Sequence, residues 1–539
     1  MLLLKEQVKV GERMDTAIYY NGTILTMEEP LYAEAVLVED GVIRQVGSRE
    51  ALFAQKRADT RLVDLQGAVL LPAFIDPHSH ITALAQTLGL VNLSGCKNFG
   101  EITERLDAFI ARTKPDKGQW VSAFGYDHND LEEKRHPDGA LLDRYPFPVV
   151  VTHASGHMGV VNRMGLQALG ITASTPNPEG GVIGRCADTQ EPNGYLEETA
   201  FTSFTARIPQ PPLEQQMRQM EQAQDIYLQN GITTAQDGFT KEAEWTLLHG
   251  LAGQKRLKLD VVAYPNLPDN RKIALEHPQY CKQYHNRLKI GGYKVFLDGS
   301  PQGRTAWMSQ PYADASDGYR GYAVHTDEEV RSYMRQALQD HMQILAHCNG
   351  DAAAQQMIDA YAAEKTGEDI RPVMIHAQLV RPDQLARMGE LGMIASFFVA
   401  HTYYWGDVHL KNFGEARATA ISPVRAAIGN GVVYTFHQDT PVILPNMLET
   451  LWCAVNRISK GGYVMGEAQR VSPLEALKGV TLYAAYQYFE ENEKGSIRPG
   501  KRADFVLLDR DPLQVDPMEL RDLRVLATIR GGTVVYEGK

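Results

Sequence analysis

Hydrophobic positions along the chain follow two rhythms. Toward each end, short apolar stretches are cut by turn dipeptides. Residues 17–20, 23–26, 35–38 and 42–46 are such stretches, with Asn21-Gly22 and Asp40-Gly41 as the breaks. Residues 503–508 and 525–529 repeat the pattern at the other end, where Gly531-Gly532 turns into 533–536. These read as strands joined by tight turns. Neither end holds enough strands for a core of its own, so both together are expected to form one small β-sandwich. Residues 1–14 read as a floppy extension.

The middle alternates short β-rich runs with helical patterns. The runs are 73–75, 232–234, 259–262, 293–296, 344–346, 373–375, 393–396 and 432–435, and helical spacing over 326–342 and 382–391 lies between them. Repeated strand–helix units predict an α/β fold with a parallel sheet, and eight of them predict a (β/α)8 TIM barrel. More than a hundred residues separate the first run from the second. That stretch carries strand candidates of its own, 121–124 and 148–152, and reads as an insertion on the face where such barrels keep their active sites. The expected division is a composite β-sandwich domain from 1–71 and 494–539, and a barrel domain over 72–493 with the insertion at about 95–228.

Composition narrows the function classes. With 44% hydrophobic and 22% charged residues, a chain of 539 residues has ample core for two or three domains and is not globally disordered. Its net charge of −12 and lack of basic runs speak against nucleic-acid or anionic-membrane partners. Leu2 to Leu4 are followed at once by Lys5 and Glu6, which is too short an apolar run for an export signal. No stretch approaches the roughly 18 apolar residues of a membrane span. Five dispersed cysteines with no CxxC read as reduced thiols, so a cytoplasmic location is expected.

Polar residues then gather at one kind of place. His78 and His80 follow the first run with a spacing that turns both imidazoles to one side. Lys294 lies in the fourth run, His347 and His376 end the fifth and sixth, and Asp439 follows the eighth. In a barrel these strand ends converge on one mouth. Imidazole and carboxylate suit Zn²⁺ and similar divalent ions. Singly, each has an ordinary structural explanation: a surface His-x-His, a core histidine, an Asp N-cap, a Lys294–Asp298 ion pair. Lys294 is the odd member, since an ammonium has no lone pair to offer. Five strand ends carrying such groups together favour a metal site.

At this point the sequence resembles a known family. Leu71-Pro72-Ala73-Phe74-Ile75-Asp76-Pro77-His78-Ser79-His80 is similar to the G-F-x-D-x-H-x-H first strand of the amidohydrolase superfamily, with Ala73 at the usual glycine. Residues 20–27 resemble its opening strands, and Asp298-Gly299-Ser300 with Arg304-Thr305-Ala306 its fourth-strand segment. His347-Cys348-Asn349-Gly350-Asp351 resembles its His-x-x-Gly-Asp motif, and residues 496–504 its return to the sandwich. Order and spacing point to the amidohydrolase-3 branch, which includes YtcJ-like proteins and N-substituted formamide deformylases.

The resemblance implies one or two divalent ions, Zn²⁺ being expected. His78, His80 and Asp439 would hold one ion and His347 and His376 the other, with Lys294 bridging them as an N-carboxylated lysine. It also implies a metal-activated hydroxide as nucleophile, with Asp439 as the acid/base group. Less directly, His157 and Glu198 match family segments, although Ser155 replaces the family's acid beside His157. Arg304 is a candidate for a substrate carboxylate or a structural ion pair, and His401, Trp405 and His437 for the pocket wall. The expected activity is hydrolysis of a C–N bond, amide or cyclic amide, in a small molecule. The alternatives are a metal-dependent deaminase, which in this fold generally uses one metal and no bridging lysine, and a non-catalytic scaffold. A homodimer is a base-rate expectation only.

Overall fold

The computed structural model describes residues 10–12, 15–116 and 118–538. The extension expected over 1–14 lies outside them apart from 10–12, where the Gly11 N–H donates to Val534 O at 2.8 Å. The described chain divides into two compact units, residues 1–83 with 221–539, and residues 84–220.

In the larger unit both chain ends build one composite sheet. Thr533–Glu537, Val525–Arg530, Phe505–Leu508, Val69–Pro72, Thr16–Leu25, Tyr32–Glu39 and Val42–Gly47 lie side by side in that order, and Arg61–Asp64 also pairs with Thr16–Leu25. Tyr19, Ile24, Val36, Val63, Leu70, Phe505, Leu507 and Ile529 fill its core. Asp40-Gly41 makes the expected turn, with φ of 52° and 77°. Asn21-Gly22 does not. Thr16–Leu25 is a single strand, and its register slips between Tyr20 and Ile24 while Asn21 takes φ 58°. The dipeptide makes a bulge, and a Cβ on Gly22 would meet Ala68 O at 2.4 Å.

Eight parallel strands follow, each within a few residues of its expected place. They are β1 (Phe74–Ile75), β2 (Ile232–Thr240), β3 (Asp260–Pro265), β4 (Gly292–Phe296), β5 (Gln343–Cys348), β6 (Val373–His376), β7 (Ile394–Phe397) and β8 (Val433–Phe436). β1, β2 and β3 run with Leu288–Ile290 in one parallel sheet and β4 to β8 in a second. The sheets meet on one side through the Asn266–Lys294 bridge. On the other side His80 N–H donates to Thr440 O (2.8 Å) and Asp439 N–H to His78 O (3.3 Å). Helices lie between the strands. Asp327–Gln339 starts at a Thr326/Glu329 capping box, and Pro382–Leu391 ends at Gly392 in the left-handed conformation. This is a TIM-barrel-like α/β fold. Among the described residues no helix is long and apolar enough to cross a membrane.

A buried ion cluster ties the composite sheet to β3. Asp260, at 1% exposure, accepts from Lys494 and Arg502 at 2.7 Å each and from Arg530. Lys494 also meets Glu490 at 2.6 Å, and Lys289 pairs with Glu490. Burial alone would raise both carboxyls. The cations win, holding Asp260 well below its ordinary range and Glu490 down from 4.5 to about 2. A depressed carboxyl contributes stability that is complete above its unfolded pKa and is lost as pH falls through the folded one. Wild type is therefore expected to lose stability more steeply than Glu490→Gln between pH 4.5 and about 2. Asp260→Asn, which removes the carboxylate charge shared by Lys494, Arg502 and Arg530, is expected to cost about 3–5 kcal/mol at neutral pH. Urea denaturation across that pH range checks the first, and at neutral pH the second.

The unit of residues 84–220 has its own sheet, in the order Gly181–Arg185, Pro192–Glu198, Met158–Val161, Val149–His153, Val121–Tyr126, Val91–Asn92. The last three are parallel neighbours. Leu93, Ile102, Leu106, Val121, Leu142, Val149 and Val151 fill its core.

Candidate metal centre

The six residues singled out as ligands lie in the larger unit, at the C-terminal ends of its parallel strands or just beyond, with Lys294 inside β4. His78 Nε2 and His80 Nε2 stand 3.5 and 3.3 Å from Asp439 Oδ1, and His376 Nε2 is 3.9 Å from Asp439 Oδ2. Ligand atoms of His78, His376 and Asp439 all lie within 4.8 Å of one another. The His347 and His376 ring centres are 4.5 Å apart. Lys294 is fully buried, and its Nζ is 3.0 Å from His78 Nε2. His376 and Asp439 both hold left-handed backbone, φ 72° and 53°. Histidine and aspartate enter that region more readily than most residues other than glycine.

Each buried imidazole is gripped from behind. His78 Nδ1 lies 2.6 Å from Gln236 Oε1 on β2, and His347 Nδ1 3.1 Å from Asp298 Oδ1. His376 Nδ1 meets His437 Nε2 at 3.2 Å, and His437 Nδ1 meets Ser396 Oγ on β7 at 2.8 Å. Such outer partners set which nitrogen faces inward. Asp298 is thus not the ion-pair partner of Lys294. It accepts from the backbone N–H groups of Trp307, Asn349 and Gly350 as well as facing His347.

Electrostatics suit a cation at this point. Burial first, then Lys294, presses the His78 pKa well below the imidazole range, and burial with His347 does the same to His376. Both rings are therefore neutral, with a lone pair to give. Burial opposes ionisation of Asp439, but His80, His376 and His78 hold its carboxyl well below the usual range. Burial drives Lys294 down to about 7 against the pull of Asp439. Neutral imidazoles, a carboxylate and an amine able to shed its proton form a donor set that fits a divalent ion.

The remaining candidates separate. His437 joins the site through His376. His401 is buried and bonds His409 at 3.1 Å. Its ring and that of Trp405 reach His376 through Phe398, whose ring centre is 6.1 Å from His376. Arg304 ion-pairs with Asp314 at 2.8 Å and lies over Tyr312, so its guanidinium takes the structural-pair role. His157 and Glu198 belong to the 84–220 unit, where they are exposed and pair with each other at 3.1 Å. Sequence reasoning misses Gln236 and Ser396. Gln236 lies on β2, whose sequence ITTAQDGFT is polar enough that a glutamine does not stand out, and an isolated serine on β7 gives as little for the second.

Comparison with known proteins shows the family. The sequence profile of the amidohydrolase family, Amidohydro_3, matches residues 61–536. YtcJ of Bacillus subtilis (strain 168), which carries a provisional amidohydrolase name, is 29% identical over 97% of this chain and 99% of its own. The N-substituted formamide deformylase of Arthrobacter pascens is 27% identical over 94% of this chain and 95% of its own. An uncharacterized metal-dependent hydrolase from Pyrococcus furiosus superposes with a TM-score of 0.77 at 27% identity, covering 93% of this chain and all of that one. With a family match over most of its length, the chain belongs to the amidohydrolase family, a hydrolase for which the family implies a divalent metal.

Proposed function

We propose that the protein hydrolyses the C–N bond of an amide or cyclic amide in a small molecule. The observation that carries this reading is Lys294, fully buried with its Nζ 3.0 Å from a histidine of the donor set and, among the described residues, no carboxylate within ion-pair distance, Asp439 acting on it only from farther away. A lysine placed there makes sense as a carboxylated bridging ligand, and a one-metal deaminase has no use for it. His78, His80 and Asp439 would hold one ion and His347 and His376 a second, Zn²⁺ in the simplest case. When bound, a divalent ion supplies Lewis acidity and lowers the pKa of water to about 7.

The chain's own groups divide the remaining work. Asp439, kept ionised by its histidine neighbours, accepts the proton of the attacking water at its carboxylate. A C–O bond forms at the carbonyl carbon as the C–N bond breaks, and Asp439 returns that proton to the departing nitrogen. Gln236, Asp298 and His437 hold the imidazoles in position. Phe398 packs beside His376, with Trp405 edge-on to it. We place this site on a (β/α)8 barrel over 72–493, with a composite sandwich from 1–71 and 494–539 and an insertion at about 95–228. A cytoplasmic setting and a soluble small-molecule substrate complete the reading.

The test is a substrate panel of N-substituted formamides, other simple amides, cyclic amides and aminated heterocycles. Chelator-sensitive hydrolysis confined to the amides supports the proposal. Ammonia released from the heterocycles alone would replace it with a deaminase.

A further inference from the structure

A second set of ligating side chains comes together within the 84–220 unit. Asp127 and His128 directly follow strand Val121–Tyr126, and His153 ends the parallel neighbour Val149–His153, where it sits opposite Tyr126. The two strand ends therefore present their side chains at one edge. Asp127 Oδ1 lies 3.7 Å from His128 Nδ1 and 3.5 Å from His153 Nε2, and the two nitrogens are 3.3 Å apart. A tetrahedral ion with bonds of about 2.1 Å spaces its ligand atoms about 3.4 Å apart. The triangle has the size of one face of that tetrahedron.

We propose that Asp127, His128 and His153 bind a divalent cation of the zinc type, at a site distinct from the hydrolytic centre. Two imidazoles and one carboxylate are a common donor set for such an ion. The surroundings hold the donors in place. His153 is 7% exposed, and its Nδ1 receives the Ser155 N–H at 3.0 Å with Ser155 Oγ at 2.9 Å. Asp127 Oδ1 accepts from the Asn129 N–H (2.8 Å) and from its Nδ2 (3.0 Å). The His136 ring lies against that of His128, centres 4.0 Å apart and planes tilted by 32°, with its own Nδ1 at 3.0 Å from the Tyr126 hydroxyl.

Ligation through Nε2 would require the His153 ring proton on Nδ1, where the Ser155 hydroxyl is placed to accept it in exchange for the bond now made by the Ser155 N–H. The ion then staples the ends of two neighbouring strands and stiffens the unit around them.

Zinc content of the full-length protein tests this, with Zn²⁺ alone as probe and gel filtration to remove loose metal. Asp127→Asn and the double variant His128→Ala/His153→Ala are each expected to retain one equivalent less than wild type. Asp127→Asn changes almost no volume, so it remains readable where the double variant fails to fold. In a His78→Ala/His376→Ala background Zn²⁺ should still raise the thermal midpoint, and adding Asp127→Asn should remove that rise. Equal zinc content in wild type and Asp127→Asn, or an unchanged thermal response, would overturn the site. Neither readout needs hydrolysis, so this site stands or falls apart from the proposed activity.

Discussion

Asp439→Asn is expected to lower kcat by roughly 10²- to 10⁴-fold, the range of a lost acid–base group, and further where a metal ligand is lost with it. The fold should survive. Asp439 occupies left-handed backbone at φ 53°, a region asparagine enters as readily as aspartate. The histidines around it hold the carboxylate ionised against the cost of burial, so its loss should lower the thermal midpoint of the metal-free protein modestly and leave it folded. Asp439→Ala makes the contrast, because alanine at positive φ adds about 1–2 kcal/mol of backbone strain. Steady-state kinetics at saturating metal, with thermal melts of all three proteins, checks the pair of effects. Wild-type turnover in Asp439→Asn would refute its role as proton carrier.

Lys294→Met is expected to lose turnover as completely while leaving the metal-free fold as stable as wild type or more so. Methionine fills the volume of a fully buried side chain without burying an amine. Lys294→Arg should be inactive for a different reason, since a guanidinium cannot shed its proton and leaves a fixed cation among the imidazoles. Wild type reloaded with metal and ¹³C-bicarbonate should show a carbamate carbon resonance absent from both variants. Full activity in Lys294→Met would remove lysine carboxylation from the account.

The residues behind these predictions are legible in the amino-acid sequence, for a physical reason. His78, His80, His347, His376 and Asp439 sit where short apolar runs stop, and in a parallel strand–helix fold such stops share one end. Period and placement are local properties, so a single chain carries them. What grips the imidazoles is not local. Gln236 is 158 residues from His78 and Asp298 is 49 from His347, and only the folded sheet makes them neighbours. Arg304 is ambiguous in sequence because a guanidinium serves a substrate carboxylate and an internal Asp314 equally well. Asn21-Gly22 misleads because one dipeptide supports both a hairpin turn and a bulge, and strand pairing on either side decides between them. Asp127, His128 and His153 carry no signal in sequence for the same reason as Gln236. Their significance depends on two strands being parallel neighbours.

Amide hydrolysis before metal stripping, after it, and after reloading with Zn²⁺ and bicarbonate tests the central claim most directly, run in parallel on wild type, Asp127→Asn and His376→Ala. A metal-dependent amidohydrolase built on the six residues predicts activity lost with the metal and restored by reloading in wild type and Asp127→Asn, with none at any stage in His376→Ala. Undiminished hydrolysis by protein shown by elemental analysis to be free of metal would contradict it.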